Sequence, residues 1–149
     1  MEAEDDLAVK LSIYRTLSET GGAPTASRVA ADTRLGEEAV LASFQRLHAR
    51  RLLVPEPGDP SHIRMAPPFS GIPTAFPVEA RGRRYFANCV WDAYGIAAAL
   101  KCDAVIPATD AASGEPLVLE VVENAPVPLP YVAHFAVPAA LWWRDIVYT

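Results

Sequence analysis

The sequence contains little cysteine and no long apolar run, and both shortages limit what the protein can be. Its 149 residues include two cysteines, Cys89 and Cys102, too few for the disulfide framework of a small secreted domain. No stretch of about 18 or more apolar residues occurs, which excludes a membrane-spanning helix. Residues 1–6 are acidic, where a signal peptide needs positive charge and then an apolar stretch. We therefore expect a soluble, cytoplasmic protein with no membrane partner.

Positive charge is also scarce, whereas apolar residues are plentiful. The net charge of -5 works against any partner that is bound by neutralising its phosphates, so we expect no nucleic-acid partner. Hydrophobic residues make up 51% of the chain, which is more than a disordered chain contains. The length suits one average domain or two small ones that share a core.

Residues 1–67 begin with three predicted helices. A Gly-Gly pair at residues 21–22 ends the first helix. Its apolar side chains recur at helical spacing, which predicts a buried face of Leu7, Leu11, Tyr14 and Leu17. Thr25 can cap the second helix, because its hydroxyl can accept a hydrogen bond from an otherwise unpaired backbone N–H. The third helix is predicted to begin at Glu37, since acidic residues suit the positive end of the helix dipole.

A β-hairpin made of residues 52–54 and 63–65 is predicted to follow, which gives the element order of a winged helix-turn-helix. A DNA-reading helix presents Arg, Lys, Asn or Gln to the base edges. The third helix instead starts with acidic residues and carries few such donors: Gln45, Arg46, Arg50 and Arg51. A helical lid on the second part of the chain therefore fits better than DNA binding. A winged-helix regulator with a ligand-sensing second domain remains an alternative.

The second part, residues 68–149, alternates strand and helix patterns after a proline-rich linker at 66–74. The patterns predict strands at 76–79, 85–87, 105–108, 117–122, 131–137 and 146–148, and helices at about 91–100 and 138–144. We predict an α+β protein. Its N-terminal winged helix-turn-helix-like helical domain would precede a small mixed β-sheet domain with short helices.

The reactive groups concentrate where the longer of these helices begins. Cys89 lies just before the helix, where unpaired backbone N–H groups and the dipole favour a thiolate. Asp92 is three residues further on and can face the same sulfur. A thiolate and a carboxylate together can bind a soft metal and move a proton. The spacing alone favours a buried structural cysteine over a reactive one, with Trp91 and Tyr94 as core residues.

The segment around this pair resembles the active-site stretch of the alkylmercury lyases, also called organomercurial lyases. The similarity is carried by residues 84–96, which read RYFANCVWDAYGI. It extends to the linker at 68–74 and to residues 134–138 and 142–149, and the helical N-terminal part resembles the winged-helix region of that family.

The resemblance implies protonolysis of a carbon–mercury bond, which gives a hydrocarbon and Hg(II). Cys89 would be a mercury-binding thiolate, Asp92 the proton shuttle, and Trp91 and Tyr94 would line the substrate pocket. Mercury is a soft metal, so sulfur ligands are preferred over oxygen and nitrogen. No cofactor is implied, because the metal belongs to the organomercurial substrate. The Hg(II) product would pass to small cellular thiols or to mercuric reductase.

The family pattern also includes a second catalytic cysteine, expected directly after residues 145–149, where this sequence stops. Either the sequence lacks a C-terminal portion or the thiol has been lost. In the second case a non-catalytic binder of mercurials or soft metals becomes the alternative function. Cys102 is a poor replacement, since a straight helix rising about 1.5 Å per residue would place it about 20 Å from Cys89.

The remaining candidates carry weaker signals. His48, His62 and His134 have no close spacing with each other or with the cysteines, so the sequence does not predict a zinc site. His134 lies in an apolar pattern, which predicts a hydrogen-bonded core residue on a strand. Trp142 and Trp143 could line an apolar pocket, although such pairs more often fill a core.

Overall fold

Three helices and a three-stranded antiparallel sheet form the first part of the chain in the computed structural model, which describes residues 1–147. In chain order these elements are α1 (Glu2–Thr20), α2 (Ala26–Thr33), α3 (Glu37–Ala49), β1 (Val54–Glu56), β2 (Asp59–Ala66) and β3 (Phe69–Ser70). A hairpin forms as predicted, but its first strand is shifted, since β1 shares only Val54 with the predicted 52–54; Val54 lies opposite Met65. No helix within residues 1–147 is long and apolar enough to cross a membrane.

The ends of the first helices follow from local chemistry, as the sequence predicted. Gly21 ends α1 with φ 79°, a left-handed conformation that glycine adopts without a Cβ penalty. The Thr25 hydroxyl accepts a hydrogen bond from the Arg28 backbone N–H at 3.3 Å and so caps α2. Helix α3 begins at Glu37, with acidic residues in its first turn.

The buried face of α1 differs from the predicted one. Val9, Ile13 and Leu17 are buried, whereas Leu7 is 56% and Leu11 is 53% exposed. Both sets of residues have helical spacing, so the pattern did not distinguish the face that meets the other helices. The prediction was correct for Leu17 and wrong for Leu7 and Leu11.

A partly buried ion pair connects α1 to α3. Arg46 Nη2 lies 2.7 Å from Asp6 Oδ1, and the Ser43 hydroxyl donates to the same oxygen at 2.7 Å. Asp6 is only 6% exposed. The hydrogen bond from Arg46 outweighs burial and lowers the pKa of Asp6. The charged carboxylate is therefore compensated by donors from a helix distant in sequence.

The second part of the chain is built on a five-stranded sheet in the order β5-β4-β6-β7-β8. Its elements are β4 (Pro77–Ala80), β5 (Arg83–Phe86), α4 (Val90–Leu100), β6 (Ala104–Thr109), β7 (Pro116–Val122), β8 (Ala125–Pro126) and a 3-10 helix (Ala139–Arg144). Every pairing recorded within residues 1–147 is antiparallel, so the prediction of a mixed sheet was wrong. The physical reason is that β6 pairs with β4 rather than with β5, so the α4 connection creates no parallel neighbour.

Two strands predicted near the end of the chain are not formed. Residues 131–137 are irregular, with Val132 92% exposed, and His134 is exposed rather than part of the core. Prolines at 126, 128 and 130 lack the N–H groups that a continuing strand would need. Of the strand predicted at 146–148, residues 146 and 147 lie in a turn, and Tyr148 lies outside the described residues. The predicted short helix at 138–144 corresponds to the 3-10 helix.

One hydrophobic core joins the two parts. It includes Leu17 and Phe44 from the helices and Val78 and Ile96 from the second part. The linker between the parts is ordered, and Phe69 within it is only 3% exposed. The first helices and the second sheet are thus packed as one unit around the start of α4.

Candidate functional site

Cys89 lies at the N-terminus of α4, as the sequence predicted. The chain leaves β5, forms a bridge between Ala87 and Phe69, and turns into the helix at Val90. Cys89 is the extended N-cap residue, and its carbonyl accepts the first helical hydrogen bond, from Ala93 N–H at 3.0 Å. The thiol is half-buried and not in a disulfide.

The electrostatic environment of Cys89 differs from the expected one. Burial raises the pKa of the thiol, and the negative charge of Asp92 acts in the same direction. The backbone N–H groups of Asp92 and Trp91 at the helix N-terminus oppose the rise, but the Cys89 side chain makes no capping hydrogen bond and burial outweighs their effect. The pKa of the Cys89 thiol is therefore raised overall. The protonated thiol is favoured, whereas the position at the helix N-terminus predicted a thiolate.

Asp92 is half-buried in the first turn of α4. Asn88 Nδ2 donates to its Oδ2 at 2.9 Å. Burial raises the pKa of the Asp92 carboxyl, and the hydrogen bond from Asn88 partly opposes the rise. Asp92 therefore keeps a proton at higher pH than an ordinary aspartic acid, which suits a group that takes up and gives back a proton.

Asn88 is a site residue that the sequence analysis missed. Besides Asp92, its Nδ2 donates to the backbone carbonyl of Phe69 at 3.3 Å. Its Oδ1 is buried and has no hydrogen-bond partner among the described residues. Leaving a buried acceptor unpaired costs about 1–3 kcal/mol. No spacing rule predicts this residue, because Asn88 precedes the helix and its contact with Asp92 depends on how the chain enters α4.

Helix α1 contributes Tyr14 to the same neighbourhood. Its hydroxyl donates to the Pro67 carbonyl at 2.7 Å, and its ring packs edge-on against Phe69 with centroids 6.3 Å apart. Burial, together with the negative charge of Asp92, raises the pKa of Tyr14 to about 12. The sequence predicted Tyr14 only as an apolar helix residue. Its place beside Asp92 depends on how α1 packs, which local pattern does not specify.

The two aromatic residues predicted near the site have different environments. Trp91 is 69% exposed, which contradicts the alternative of a core residue, and its place in a substrate pocket stays a prediction. Tyr94 is half-buried and packs against the hydrophobic core. A cavity of about 340 Å³ lies between α1 and α4, and Tyr14, Phe69 and Leu100 contribute to its lining.

The other candidate residues lie apart from Cys89. Cys102 is half-buried just beyond the opposite end of α4 and packs against the core. His48 Nδ1 pairs with the Leu53 carbonyl at 2.9 Å, and His62 Nδ1 lies 2.7 Å from the Asp59 carboxylate. The part of the chain covered by the structure contains no cluster of three or more His, Cys, Asp or Glu residues that could hold a metal.

Comparison with known families gives a match over the segment that contains Cys89 and Asp92. The family model of alkylmercury lyase matches residues 69–149, which is more than half of the chain and contains both Cys89 and Asp92. The chain belongs to the alkylmercury lyase family. The match begins at Phe69, the residue whose carbonyl accepts the hydrogen bond from Asn88.

A solved structure supports the same assignment. The chain resembles the mercury-bound form of MerB2 with a TM-score of 0.65 and 25% sequence identity. The similarity covers 84% of this chain and 59% of that one, so the lyase-family chain described here spans about three fifths of the length of this relative. No curated protein matches the chain.

Proposed function

We propose that the protein cleaves carbon–mercury bonds by protonolysis, with Cys89 as the mercury-binding group and Asp92 as the proton shuttle. The observation that carries this proposal is their arrangement within the family-matched segment. A thiol at a helix N-terminus lies beside a carboxyl group whose pKa burial has raised. A soft metal selects the sulfur, and the carboxyl group can hold the proton that the sulfur gives up.

The proposed reaction balances without an oxidant or a reductant. The Cys89 thiol gives its proton to Asp92, and the sulfur bonds the mercury of R–Hg–X while X⁻ leaves. When the carbon–mercury bond breaks, its electron pair stays with carbon. The carbon then takes the proton from Asp92 and leaves as the hydrocarbon RH. Mercury remains Hg(II) throughout and is left bound to the Cys89 sulfur.

Small thiols have two roles in the proposed reaction. An external thiolate would supply a second sulfur ligand, which places more electron density on the carbon and makes it a better proton acceptor. Excess thiol would then remove the Hg(II) product from Cys89. Cellular thiols or mercuric reductase are the proposed acceptors, and the proposed reaction requires no prosthetic group.

The first test is benzene release from phenylmercury acetate in excess small thiol. We expect the unsubstituted protein to release benzene and Cys89→Ser to release none, because the hydroxyl of serine is a poor mercury ligand. Cys102→Ser is the matched control, since Cys102 lies beyond the other end of α4, and it should retain the activity. Stoichiometric mercury held by Cys89 with no benzene released would contradict a lyase and indicate a binding protein.

A further inference from the structure

We propose that Asn88 is a positioning residue that holds the Asp92 carboxyl group in one orientation beside Cys89. The inference rests on the proposed function and extends it, because it explains what orients the carboxyl group of the proposed proton shuttle. It rests on the two hydrogen bonds of the Asn88 side chain, on its unpaired oxygen and on the rigidity of its anchor.

Both hydrogens of Asn88 Nδ2 are used. One is donated to Asp92 Oδ2 at 2.9 Å and the other to the Phe69 carbonyl at 3.3 Å. Both partners are acceptors when Asp92 is ionised, so rotating the amide by half a turn would bring Oδ1 against two other oxygens. The partners therefore fix the orientation of the amide, and the amide fixes Oδ2 of Asp92.

The anchor of this arrangement is itself immobilised by packing. Phe69 is only 3% exposed, its backbone forms a bridge with Ala87, and its ring packs against Tyr14 and Tyr85 with centroids 6.3 and 5.9 Å away. The Asn88 amide thus connects a fixed point of the core to Asp92. Because Oδ2 is held, Oδ1 is the oxygen of Asp92 left to exchange a proton.

The unpaired Oδ1 of Asn88 argues that this arrangement serves the site and not stability. The atom is buried without a hydrogen-bond partner in the described part of the chain. Only two hydrogen bonds of the Asn88 side chain, to Phe69 and to Asp92, offset the cost of this unpaired acceptor. Buried unpaired groups are uncommon in folded proteins and are concentrated where function requires them.

The first test needs no enzymatic activity. The sequence contains only two asparagines, Asn88 and Asn124, and one glutamine, Gln45, so a ¹⁵N–¹H spectrum holds three pairs of side-chain amide signals. We expect the Asn88 amide protons to exchange slowly with solvent. In Asp92→Ala, the chemical shifts of this pair should move toward those of a free amide. The Asn124 pair should not move, because Asn124 lies in the turn before β8. The inference would be overturned if the Asn88 amide protons exchange fast with solvent and their chemical shifts are unchanged in Asp92→Ala.

The second test separates positioning from binding. In benzene release from phenylmercury acetate, Asn88→Leu should lower kcat by about 10–100-fold with little change in KM, as expected when the partner of a reacting group is lost. Thermal unfolding checks that Asn88→Leu is folded at the assay temperature, and Asn124→Gly should keep full activity. An unchanged kcat in Asn88→Leu would contradict the inference. If the unsubstituted protein releases no benzene, the proposed function fails, and the amide spectrum still decides the role of Asn88.

Discussion

At the scale of single residues, burial dominates the chemistry of the candidate site. Burial raises the pKa of Cys89 against the backbone N–H groups at the start of α4, and it raises the pKa of Asp92 against the hydrogen bond from Asn88. In the proposed reaction the Cys89 thiol need not be ionised before the substrate arrives, because mercury displaces its proton, whereas Asp92 must be ionised to take that proton up. The same environment that disfavours charge in the free protein thus prepares the proposed proton transfer.

Burial of Asp92 predicts a pH-dependent stability. Because its pKa is higher in the folded than in the unfolded chain, its stabilising contribution is present below the unfolded pKa and is lost as the pH rises through the folded pKa. At neutral pH we therefore expect Asp92→Asn to melt at a higher temperature than the unsubstituted protein, with the difference vanishing in acid. Thermal unfolding measured across the acidic and neutral range checks this.

Asp110 provides a control, because its pKa is shifted in the opposite direction to that of Asp92. The backbone N–H of Ala112 lowers the pKa of Asp110, so its contribution is present at neutral pH and is lost as the pH falls through its folded pKa. Asp110→Asn should therefore give no gain in melting temperature at neutral pH. A gain equal to that of Asp92→Asn would show that loss of negative charge in general, and not burial of Asp92, is the cause.

At the scale of elements, contacts between helices decide what the sequence pattern left open. The Asp6–Arg46 ion pair and the Ser43 hydroxyl bring one face of α1 against α3, which exposes Leu7 and Leu11 and points Tyr14 toward the site. Local signals such as the Thr25 cap and the helix start after Cys89 were sufficient to predict where helices begin. They contained no information on which of two apolar faces of α1 would be buried.

The contact between α1 and α3 can be tested at Ser43. Ser43 is fully buried and donates to the charged Asp6 at 2.7 Å, so Ser43→Ala should lower the free energy of unfolding by about 1.5–3 kcal/mol. The loss should shrink as the pH falls through the lowered pKa of Asp6, because protonation removes the charge. Chemical denaturation at neutral and acidic pH measures both effects.

A matched hydroxyl–carboxylate pair exists in an exposed position. The Ser61 hydroxyl donates to Asp59 at 2.6 Å, but this pair is open to solvent. Ser61→Ala should change stability little, since water replaces the lost hydrogen bond. Equal losses in Ser43→Ala and Ser61→Ala would contradict the importance of burial at the α1–α3 contact.

At the scale of the whole molecule, the family-matched segment and the helical part share one core, and the site lies where they meet. The sequence was sufficient to locate Cys89 and Asp92, because both belong to one short segment. It was not sufficient for Tyr14, which comes from a distant helix, or for residues 131–137, whose apolar pattern predicted a strand that does not form. Whatever chemistry Asp92 performs therefore depends on packing by residues outside the matched segment.

The most direct measurement is a single turnover of phenylmercury bound to Cys89, comparing the unsubstituted protein with Asp92→Asn in the same excess of small thiol. We expect both proteins to capture one equivalent of phenylmercury, because the thiol is unchanged. We expect Asp92→Asn to release benzene about 100-fold more slowly or worse, since the proton donor is missing. Equal rates of benzene release from the two proteins would contradict the assignment of Asp92 as the proton shuttle.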